Sequence, residues 1–470
     1  MTSNKILTHP LKSRKLETKY LNTNDAGNFL ISSEPLDSLV KSEKNLPLIL
    51  KSGMGYQNEN DIYDLGYRYK RFVKNTPQSE LNYFIIIPTL RCNLSCSYCQ
   101  VSRAHEAATG FDWSENEFDL FLEFFAENSG SVPKVEIQGG EPLLVFDKLK
   151  DLITRIFEIR ASAEVVICTN LQTIPKGFWE FIKPRNIYIS TSIDGNIETH
   201  NRNRNKNLKS TNAFFANLHQ AFNILGNNRV SALPTITDFG EINSVIDSYK
   251  DFNILDIFLR PVNYQGFARK KYSDASKAAK DWLHSYLKAM NYIFENNENS
   301  ENKIREINFA IHLKRIFDIN FKSHVDFRNP SYVGQDYLVI NYDGVFFPSD
   351  EARMLHRIGV IDLSIGNLES GLNKDIIKKI NTSASLSNYE DCNKCAYKPF
   401  CGIDIVDIIS RHGTLDLKML DTHHCKTHLG IFDFIFNKFG ENDPIFIKNI
   451  NLHLTGNYEF SNLLSGLVHD

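Results

Sequence analysis

The sequence predicts an α/β fold built on a parallel sheet, and three observations carry that reading. Between about residues 83 and 295, short apolar runs alternate with segments of helical pattern, giving six strand-then-helix units in series. Units of that kind imply a parallel sheet with right-handed crossovers, either an open doubly wound sheet or a curved partial barrel. The chemically distinctive residues follow the apolar runs, at the strand ends where such folds gather their chemistry.

The N-terminal stretch, residues 18 to 75, reads as a separate small unit. "KYLNT" and "NFLIS" flank "NDAG", a hairpin signal in which Gly27 supplies a positive backbone angle. "SSEPLDSLVKSEKN" then predicts a helix with Ser33 as cap and Pro35 in the first turn. Two strands followed by helices suit a winged-helix-like module, or a simple N-terminal decoration. The core strands expected next are "YFIIIP" (83 to 88), "KVEIQ" (134 to 138), "EVVICT" (164 to 169), "NIYISTSI" (186 to 193), "RVSALPTI" (229 to 236) and "LDIFLRPV" (255 to 262). Among the helices between them, the one opening at Ser114 has Glu117 at capping-box spacing. After the core, residues 300 to 321 predict a helical bridge, and "YLVINYDGVFFPSDEAR" (337 to 353) predicts a hairpin turning at Asp343 and Gly344. The polar run "ENNENSENK" (295 to 303) is expected to be a surface connection.

A chain of 470 residues exceeds one ordinary core, and we divide it at 1–80, 81–300 and 301–470. A net charge of -3 gives neither nucleic acid nor an anionic membrane a reason to be the main partner. No run of eighteen apolar residues occurs, and the first twenty residues lack the apolar stretch of a signal peptide. A cytoplasmic location is the expectation. In that compartment thiols stay reduced, so eight cysteines point to metal or catalysis before disulfides. Seven of them fall into two groups, and Cys168 stands alone in "VVICTN", where it reads as a small buried core residue.

The first group, Cys92, Cys96 and Cys99, has the spacing C-x3-C-x2-C and no fourth ligand nearby. Three thiolates can hold three irons of a cubane and leave the fourth iron open for a small molecule, as catalytic metal sites keep an open position. A zinc knuckle or buried structural thiols are the alternatives, and this spacing suits zinc poorly.

This constellation resembles the radical S-adenosylmethionine superfamily, whose signature carries an aromatic before the last cysteine, as Tyr98 does here. "GGEP" (Gly139, Gly140, Glu141, Pro142) stands where that family holds the amino group of the cofactor. "TN" (Thr169, Asn170) and "STSIDG", with Ser190, Ser192 and Asp194, resemble its contacts on the third and fourth strands. "IDGNIETHNRNR" resembles its "DG…H…R" run, with His200 and either Arg202 or Arg204 in the corresponding places, and we assign Arg202. The resemblance implies a partial (β/α)6 TIM-like barrel, a 4Fe-4S cluster on Cys92, Cys96 and Cys99, and S-adenosylmethionine chelating the open iron. It also implies reductive cleavage to a 5'-deoxyadenosyl radical. Glu141 would accept from the cofactor ammonium, and Gly139 and Gly140 would let backbone approach it closely.

The second group, "CNKCAYKPFC" and a later Cys425, resembles the SPASM or twitch extension of radical enzymes that modify ribosomally made peptides. Cys392, Cys395, Cys401 and Cys425 fit the outer auxiliary cluster of that family. The inner cluster's ligands are missing, because Ser349 and Ile405 stand where cysteines would be. One auxiliary 4Fe-4S cluster is therefore expected, with a zinc ribbon as the alternative. His423 and His424 read as neighbours of the site. In "PSDEAR", Asp350, Glu351 and Arg353 are candidates for binding substrate or moving a proton, the alternative being a solvated charged loop.

The N-terminal "KYLNTNDAGNFLISS" resembles the leader-peptide recognition elements of peptide maturases, which take a peptide as an added strand. With "CNLSCSYCQVSRA" and "NYDG…SDEAR" it looks most like the maturases of His-Xaa-Ser peptide systems. That likeness implies a precursor peptide, a second radical maturase and a flavodoxin or ferredoxin donor as partners. A sulfatase-type maturase acting on a protein Cys or Ser, and a non-catalytic peptide-binding iron–sulfur scaffold, are the competing readings.

Overall fold

The computed structural model describes residues 7–64, 66, 81–205, 207–266, 269, 275–318, 321, 329, 331, 333–335 and 337–456. The remainder of the expected N-terminal module (1–6, 65 and 67–80) and the tail from 457 lie outside the described residues.

Three antiparallel strands open the chain: β1 (Leu11–Lys15), β2 (Tyr20–Asn24) and β3 (Phe29–Ser32), with β2 in the middle. The β2–β3 turn is the one expected, with Gly27 at φ 77°. The Asn24 side chain closes it by accepting from the N–H groups of Ala26 and Asn28 at 3.1 and 3.2 Å. Strand β1, "LKSRK", gave no apolar signal, yet it pairs with β2 from Leu11↔Asn24 to Lys15↔Tyr20. The helix that follows, α1 (Leu36–Lys41), corrects the expected cap. Pro35, at φ -64° and ψ 156°, is the flanking residue, and no side chain caps the helix. A residue before proline avoids the helical region, so Glu34 stays extended and Ser33 is too early to cap.

Nor does this unit stand apart. The Phe29 ring meets Phe317, Phe400, Phe436 and Phe439 edge-on at 5.3–6.3 Å. Arg14 grips Asp433 with two nitrogens, both at 2.5 Å, and Tyr397 donates to the same carboxylate at 2.6 Å. The buried Thr23 hydroxyl donates to Ala396 O at 2.7 Å. Burial of apolar surface against the C-terminal part of the chain, about 25 cal/mol per Å², holds this sheet where its own small core would not.

The main sheet begins with β4 (Leu81–Thr89), β5 (Ser129–Gly139), β6 (Glu164–Cys168), β7 (Ile187–Thr191) and β8 (Val230–Ala232). These five lie side by side in chain order and all run parallel. A doubly wound sheet would reverse its order at a switch point, and this one does not. Val135, Ile137, Val165, Ile167, Ile187 and Ile189 pack outward in one core with Phe121, Phe125, Leu149 and Ile153 of the crossover helices α2 (Glu115–Asn128) and α3 (Phe146–Ile159). The alternate residues of these strands face the other side. Ser114 and Glu117 form the expected capping box.

The fifth and sixth runs differ from expectation. Pro234, which has no N–H to donate, follows β8, and the chain restarts as β9 (Thr235–Ile236). The run 255 to 262 also divides, into β10 (Asp256–Ile257) and β11 (Arg260–Pro261). β9 pairs with β11, and β10 with β12 (Arg305–Glu306), outside the main sheet. On its other side the sheet gains four strands instead, the outer two being Gly366–Asn367 and Gly371–Leu372. The expected hairpin forms between β13 (Tyr337–Ile340) and β14 (Val345–Phe347), with Gly344 at φ 76°, and β13 also runs parallel to β4 from Tyr337↔Tyr83 to Ile340↔Ile86.

The polar run at 295 to 303 is a surface connection only in part. Helix α4 (Ala275–Asn299) continues into it, and Asn297 is fully buried. Its side chain bonds Ile304 N, Ile304 O and Asn449 Oδ1 at 2.7–2.8 Å. The bridge helix, α5 (Ile307–Phe317), starts only where buried Glu306 accepts from Phe309 N at 2.6 Å. Among the described residues, no helix is long and apolar enough to cross a membrane.

Burial sets the acid response. His453 accepts from Glu306 N at 2.9 Å through Nε2, so its other ring nitrogen faces Asn449 O as a donor and the ring is neutral. Burial lowers His312, His423 and His453 to about 4 and His200 to about 2, from 6.5. Glu306 opposes them, since burial raises it from 4.5 to about 7. Between pH 6.5 and 4.5 the unfolded chain thus binds protons on His200, His312, His423, His428 and His453 that the fold refuses, against protons on Glu141, Asp194 and Glu306 that the fold prefers. The contribution of the histidines is complete above pH 6.5 and is lost as the pH drops through this window, while that of Glu306 runs the other way; the histidines are the larger set, so stability falls towards pH 4.5. Urea midpoints at pH 7.5 and pH 5 test this; equal midpoints would contradict the neutral buried histidines.

Candidate functional site

The three-cysteine loop is closed at its base by pairing of Arg91–Cys92 with Ala104–His105. Inside it, Cys99 N donates to Cys96 O at 3.2 Å, and Ser97 N donates to Asn203 O at 2.9 Å. Burial pushes the Cys92 thiol up to about 12, with Glu141, Cys96 and Cys99 adding to the rise. Burial also raises Cys96, while the nearby Arg204 opposes it. All eight cysteines are free thiols, and only the first three face one another at this rim.

The glycines of "GGEP" do something more specific than leave room for a ligand. At φ 136°, Gly139 sits so that an added Cβ would lie 2.1 Å from Thr89 O, and a Cβ on Gly140 would lie 2.2 Å from Arg91 O. Gly140 N donates to Thr89 O at 3.0 Å and Glu141 N donates to Arg91 O at 2.8 Å. The strand end therefore clamps the root of the cysteine loop backbone to backbone.

Glu141, only 2% exposed, extends the clamp to the next strand. Its carboxylate accepts from the Thr169 hydroxyl at 2.8 Å, Asn170 N at 2.7 Å and Leu143 N at 3.0 Å. Burial raises its pKa and these donors oppose the rise. Asn170 then reaches back, donating to Asn93 Oδ1 at 2.8 Å between the first two cysteines. Leu171, the next residue, is held at φ 52°, an uncommon angle for a branched side chain.

Tyr98 donates to Asp194 at 2.6 Å and accepts from Arg204 at 2.8 Å, and Arg204 lies 4.0 Å from Asp194. Burial raises Asp194, against the pull of Arg204 and Tyr98. Arg202 is not in this group. Its guanidinium is 54% exposed and pairs with Glu241 at 2.7 Å, so the structure puts Arg204 where the expectation put Arg202. The local helix 201–205 turns residues two apart to different sides. His200 packs in the core, stacked on Phe214 at 4.3 Å. Ser190 and Ser192 lie half-buried at the end of the fourth strand run. Cys168 corrects its expectation: it is half-buried on the inner face of the sheet, donating to Glu136 at 3.3 Å.

Ser349, where a cysteine was missing, caps helix α6 (Asp350–Arg357) by accepting from Ala352 N. Asp350 binds Arg353 at 2.6 Å, and Arg353, 1% exposed, reaches toward Val101 O, two residues beyond Cys99. Glu351 accepts from Asn263 at 3.3 Å. The "SDEAR" segment is thus a folded brace on the cysteine loop, not a solvated loop. Sequence reading missed its partner, residues 263 to 266. An added Cβ on Gly266 would lie 2.4 Å from Gln100 O. Gln265 donates at 2.9 Å to Asp407 of helix α7 (Ile405–His412). A lone glycine in a polar loop gives no sequence signal for such a contact.

The second cysteine group is drawn together from the 392–401 turn and the first turn of helix α8 (His423–Gly440). Burial raises all four thiols. Cys401 feels Cys425, Cys395 and Cys392, and Arg315 holds the turn by donating to Phe400 O and Cys401 O. Among the described residues, no three His, Cys, Asp or Glu side chains converge on a point that would hold one metal ion. A cubane gives each thiolate its own iron, so its ligands stand further apart than those of a single ion. The soft all-sulfur donors fit such a cluster.

Residues 86–238 match the family model of the Radical SAM superfamily. Members of that superfamily are enzymes that use a 4Fe-4S cluster and S-adenosylmethionine. A GTP 3',8-cyclase of Geobacter sulfurreducens is 34% identical over 96 residues, 20% of this chain and 29% of that protein. The chain spans 29–39% of the length of the curated relatives it matches. In fold it is similar to native anSMEcpe with bound AdoMet, at a TM-score of 0.59 and 17% identity over 78% of this chain and 99% of that one. It is similar also to Streptococcus suis SuiB, at 0.52 and 15% over 88% and 98%.

Two contrasts test the geometry. Arg204→Ala leaves Asp194 buried without its cation and should cost about 3–5 kcal/mol of stability, whereas Arg202→Ala should stay within about 1 kcal/mol of the parent. Comparable losses in urea titrations would refute this placement of the two arginines. Gly140→Ala drives a Cβ into backbone and should cost at least about 2–4 kcal/mol.

Proposed function

We propose that this protein is a radical S-adenosylmethionine enzyme that modifies a ribosomally made precursor peptide. The observation that carries this reading is the rim itself: three thiols on one loop, clamped by Gly139–Gly140–Glu141 and tied through Asn170 to Asn93. Cys92, Cys96 and Cys99 would hold a 4Fe-4S cluster with one open iron. When bound, the cluster and S-adenosylmethionine supply a 5'-deoxyadenosyl radical. Glu141 keeps lone-pair capacity beyond its three donors and would accept from the cofactor ammonium. Tyr98, Thr169, Asn170, Ser190, Ser192 and Asp194 would shape the remainder of its pocket, with Arg204 holding Tyr98 and Asp194 in place.

Cys392, Cys395, Cys401 and Cys425 would hold one auxiliary 4Fe-4S cluster, a reading that the four soft sulfur donors support. The peptide reading draws support from the three-stranded N-terminal sheet, whose partly exposed edge β1 can accept an added strand. Further support comes from the likeness in fold to anSMEcpe, also solved with AdoMet and the Kp18Cys peptide. A His-Xaa-Ser type precursor, a second radical maturase, and a flavodoxin or ferredoxin donor in the cytoplasm belong to the same reading. Asp350 serves as a brace through Arg353, which leaves Glu351 the better placed of the pair to meet substrate.

Anaerobically reconstituted protein should contain about eight irons per chain with matching sulfide. With a reductant and S-adenosylmethionine it should form 5'-deoxyadenosine, and Cys96→Ala should abolish that. Cys395→Ala should keep cofactor cleavage and lose about four irons. About four irons and about one zinc in the parent would make the second site structural.

A further inference from the structure

The inner face of the sheet carries a polar group that a packed barrel would not contain. A closed (β/α)8 barrel fills its interior with branched apolar side chains. Here, just below the rim, Tyr83, Glu136, Gln138, Cys168 and Ser190 face inward among Ile85 and Val166. Register places Glu136 between Ile85 and Val166 and pairs Cys168 with Ser190, so Tyr83 and Cys168 reach Glu136 diagonally from the next inward positions of their strands. Glu136 is the hub. Its carboxylate accepts from Tyr83 OH at 2.5 Å, Gln138 Nε2 at 2.6 Å and Cys168 Sγ at 3.3 Å.

All three donors are neutral. Burial raises both Tyr83 and Cys168, with Glu136 adding to each rise, so both keep their protons. A nearby cation, Lys134, stands two residues before Glu136 on the same face, over the Tyr83 ring at 5.3 Å, and pairs with Glu164 at 3.6 Å. Among the described residues, no cation pairs with Glu136. Glu141 at the rim likewise has neutral donors alone, whereas three other enclosed carboxylates have a cation: Asp194 has Arg204, Asp350 has Arg353 and Asp407 has Arg411. A half-buried carboxylate with neutral donors alone is a poised anionic site, because a cation completing it recovers the Coulombic term that desolvation leaves unanswered. Glu136 lies three residues before Gly139, about 10 Å below the clamp. A long side chain reaching it from above would carry its own carbons past the rim.

We propose that Glu136, with Tyr83 and Gln138, is the specificity site for the residue that is modified. It would bind a peptide side chain ending in a positively charged hydrogen-bond donor, an ammonium, guanidinium or imidazolium. This rests on the radical reading above and names the substrate group that reading leaves open.

The test uses reconstituted holoenzyme with S-adenosylmethionine and reductant. The probes are side-chain-deuterated N-acetyl amides of lysine, arginine, histidine, norleucine and glutamate. Deuterium should pass into 5'-deoxyadenosine from at least one cationic probe, at least tenfold more than from norleucine or glutamate. Glu136→Gln, nearly isosteric, should remove that preference, and a far-UV circular dichroism spectrum and urea midpoint matching wild type report that the variant folds. Saturation-transfer NMR on unreduced holoenzyme should show cationic probes bound by wild type and not by Glu136→Gln. Deuterium transfer from none of the probes, from all alike, or unchanged in Glu136→Gln would overturn the proposal. Absence of 5'-deoxyadenosine in wild type would instead overturn the radical reading, and the NMR comparison alone would then decide whether Glu136 selects cations.

Discussion

Everything distinctive about this protein hangs on two glycines pressed against a neighbouring strand end. At Gly139 and Gly140 the second core strand comes so close to Thr89 and Arg91 that no side chain fits between them. Those residues are the root of the cysteine loop, so the contact sets where the loop leaves the sheet. Glu141, fixed by its own N–H to Arg91 O, then delivers a carboxylate to the end of the third strand. Asn170 passes the constraint back to Asn93. Three strand ends and the first half of the loop become one unit through backbone groups and the side chains of Glu141, Thr169, Asn170 and Asn93.

The second half of the loop is held differently, by buried charge. Arg204 pins Tyr98 through Asp194, and Arg353, paired with Asp350, reaches the backbone beyond Cys99. Replacing such pairs by apolar residues often costs nothing in stability, so their presence argues for geometric definition over added stability. An arginine fork and a tyrosine hydroxyl fix direction as well as distance. Apolar packing alone would leave a glycine-free, cysteine-rich loop free to settle in several ways.

Much of this was legible in the sequence, for reasons that can be named. The cysteine spacings, "GGEP" and the apolar runs are local patterns, and local patterns survive into structure. What stayed hidden depends on contacts distant in the chain. Strand β1 is "LKSRK", a polar run anchored by the Arg14–Asp433 contact, which spans 419 positions. Strand β13 read correctly as half of a hairpin, but its parallel seat against β4 has no local cue. Arg202 and Arg204 differ only in which way a short irregular helix turns them. Cys168 sits in "VVICTN" like a core residue, because period-two alternation fixes two faces without saying which one meets the helices.

The two cysteine groups differ in a way that bears on their proposed roles. Around Cys92, Cys96 and Cys99 stand amide, hydroxyl and charged groups, and the loop ends at the strand rim where Glu136 and Gln138 lie below. Around Cys392, Cys395, Cys401 and Cys425 the neighbours are largely aromatic and aliphatic: Cys395 and Cys401 pack on one apolar core, and Cys392 and Cys401 on the other. Tyr397, between them in sequence, stacks on Phe432 and Phe436. A closed set of four soft ligands in apolar surroundings suits a centre that exchanges electrons without binding substrate, while three ligands in polar surroundings suit one that does bind. The N-terminal sheet touches the closed site through Thr23 and Ala396 and through Arg14 and Asp433. On the proposed reading, a peptide strand added to that sheet is therefore registered against the auxiliary centre, while the residue to be modified extends toward the open one.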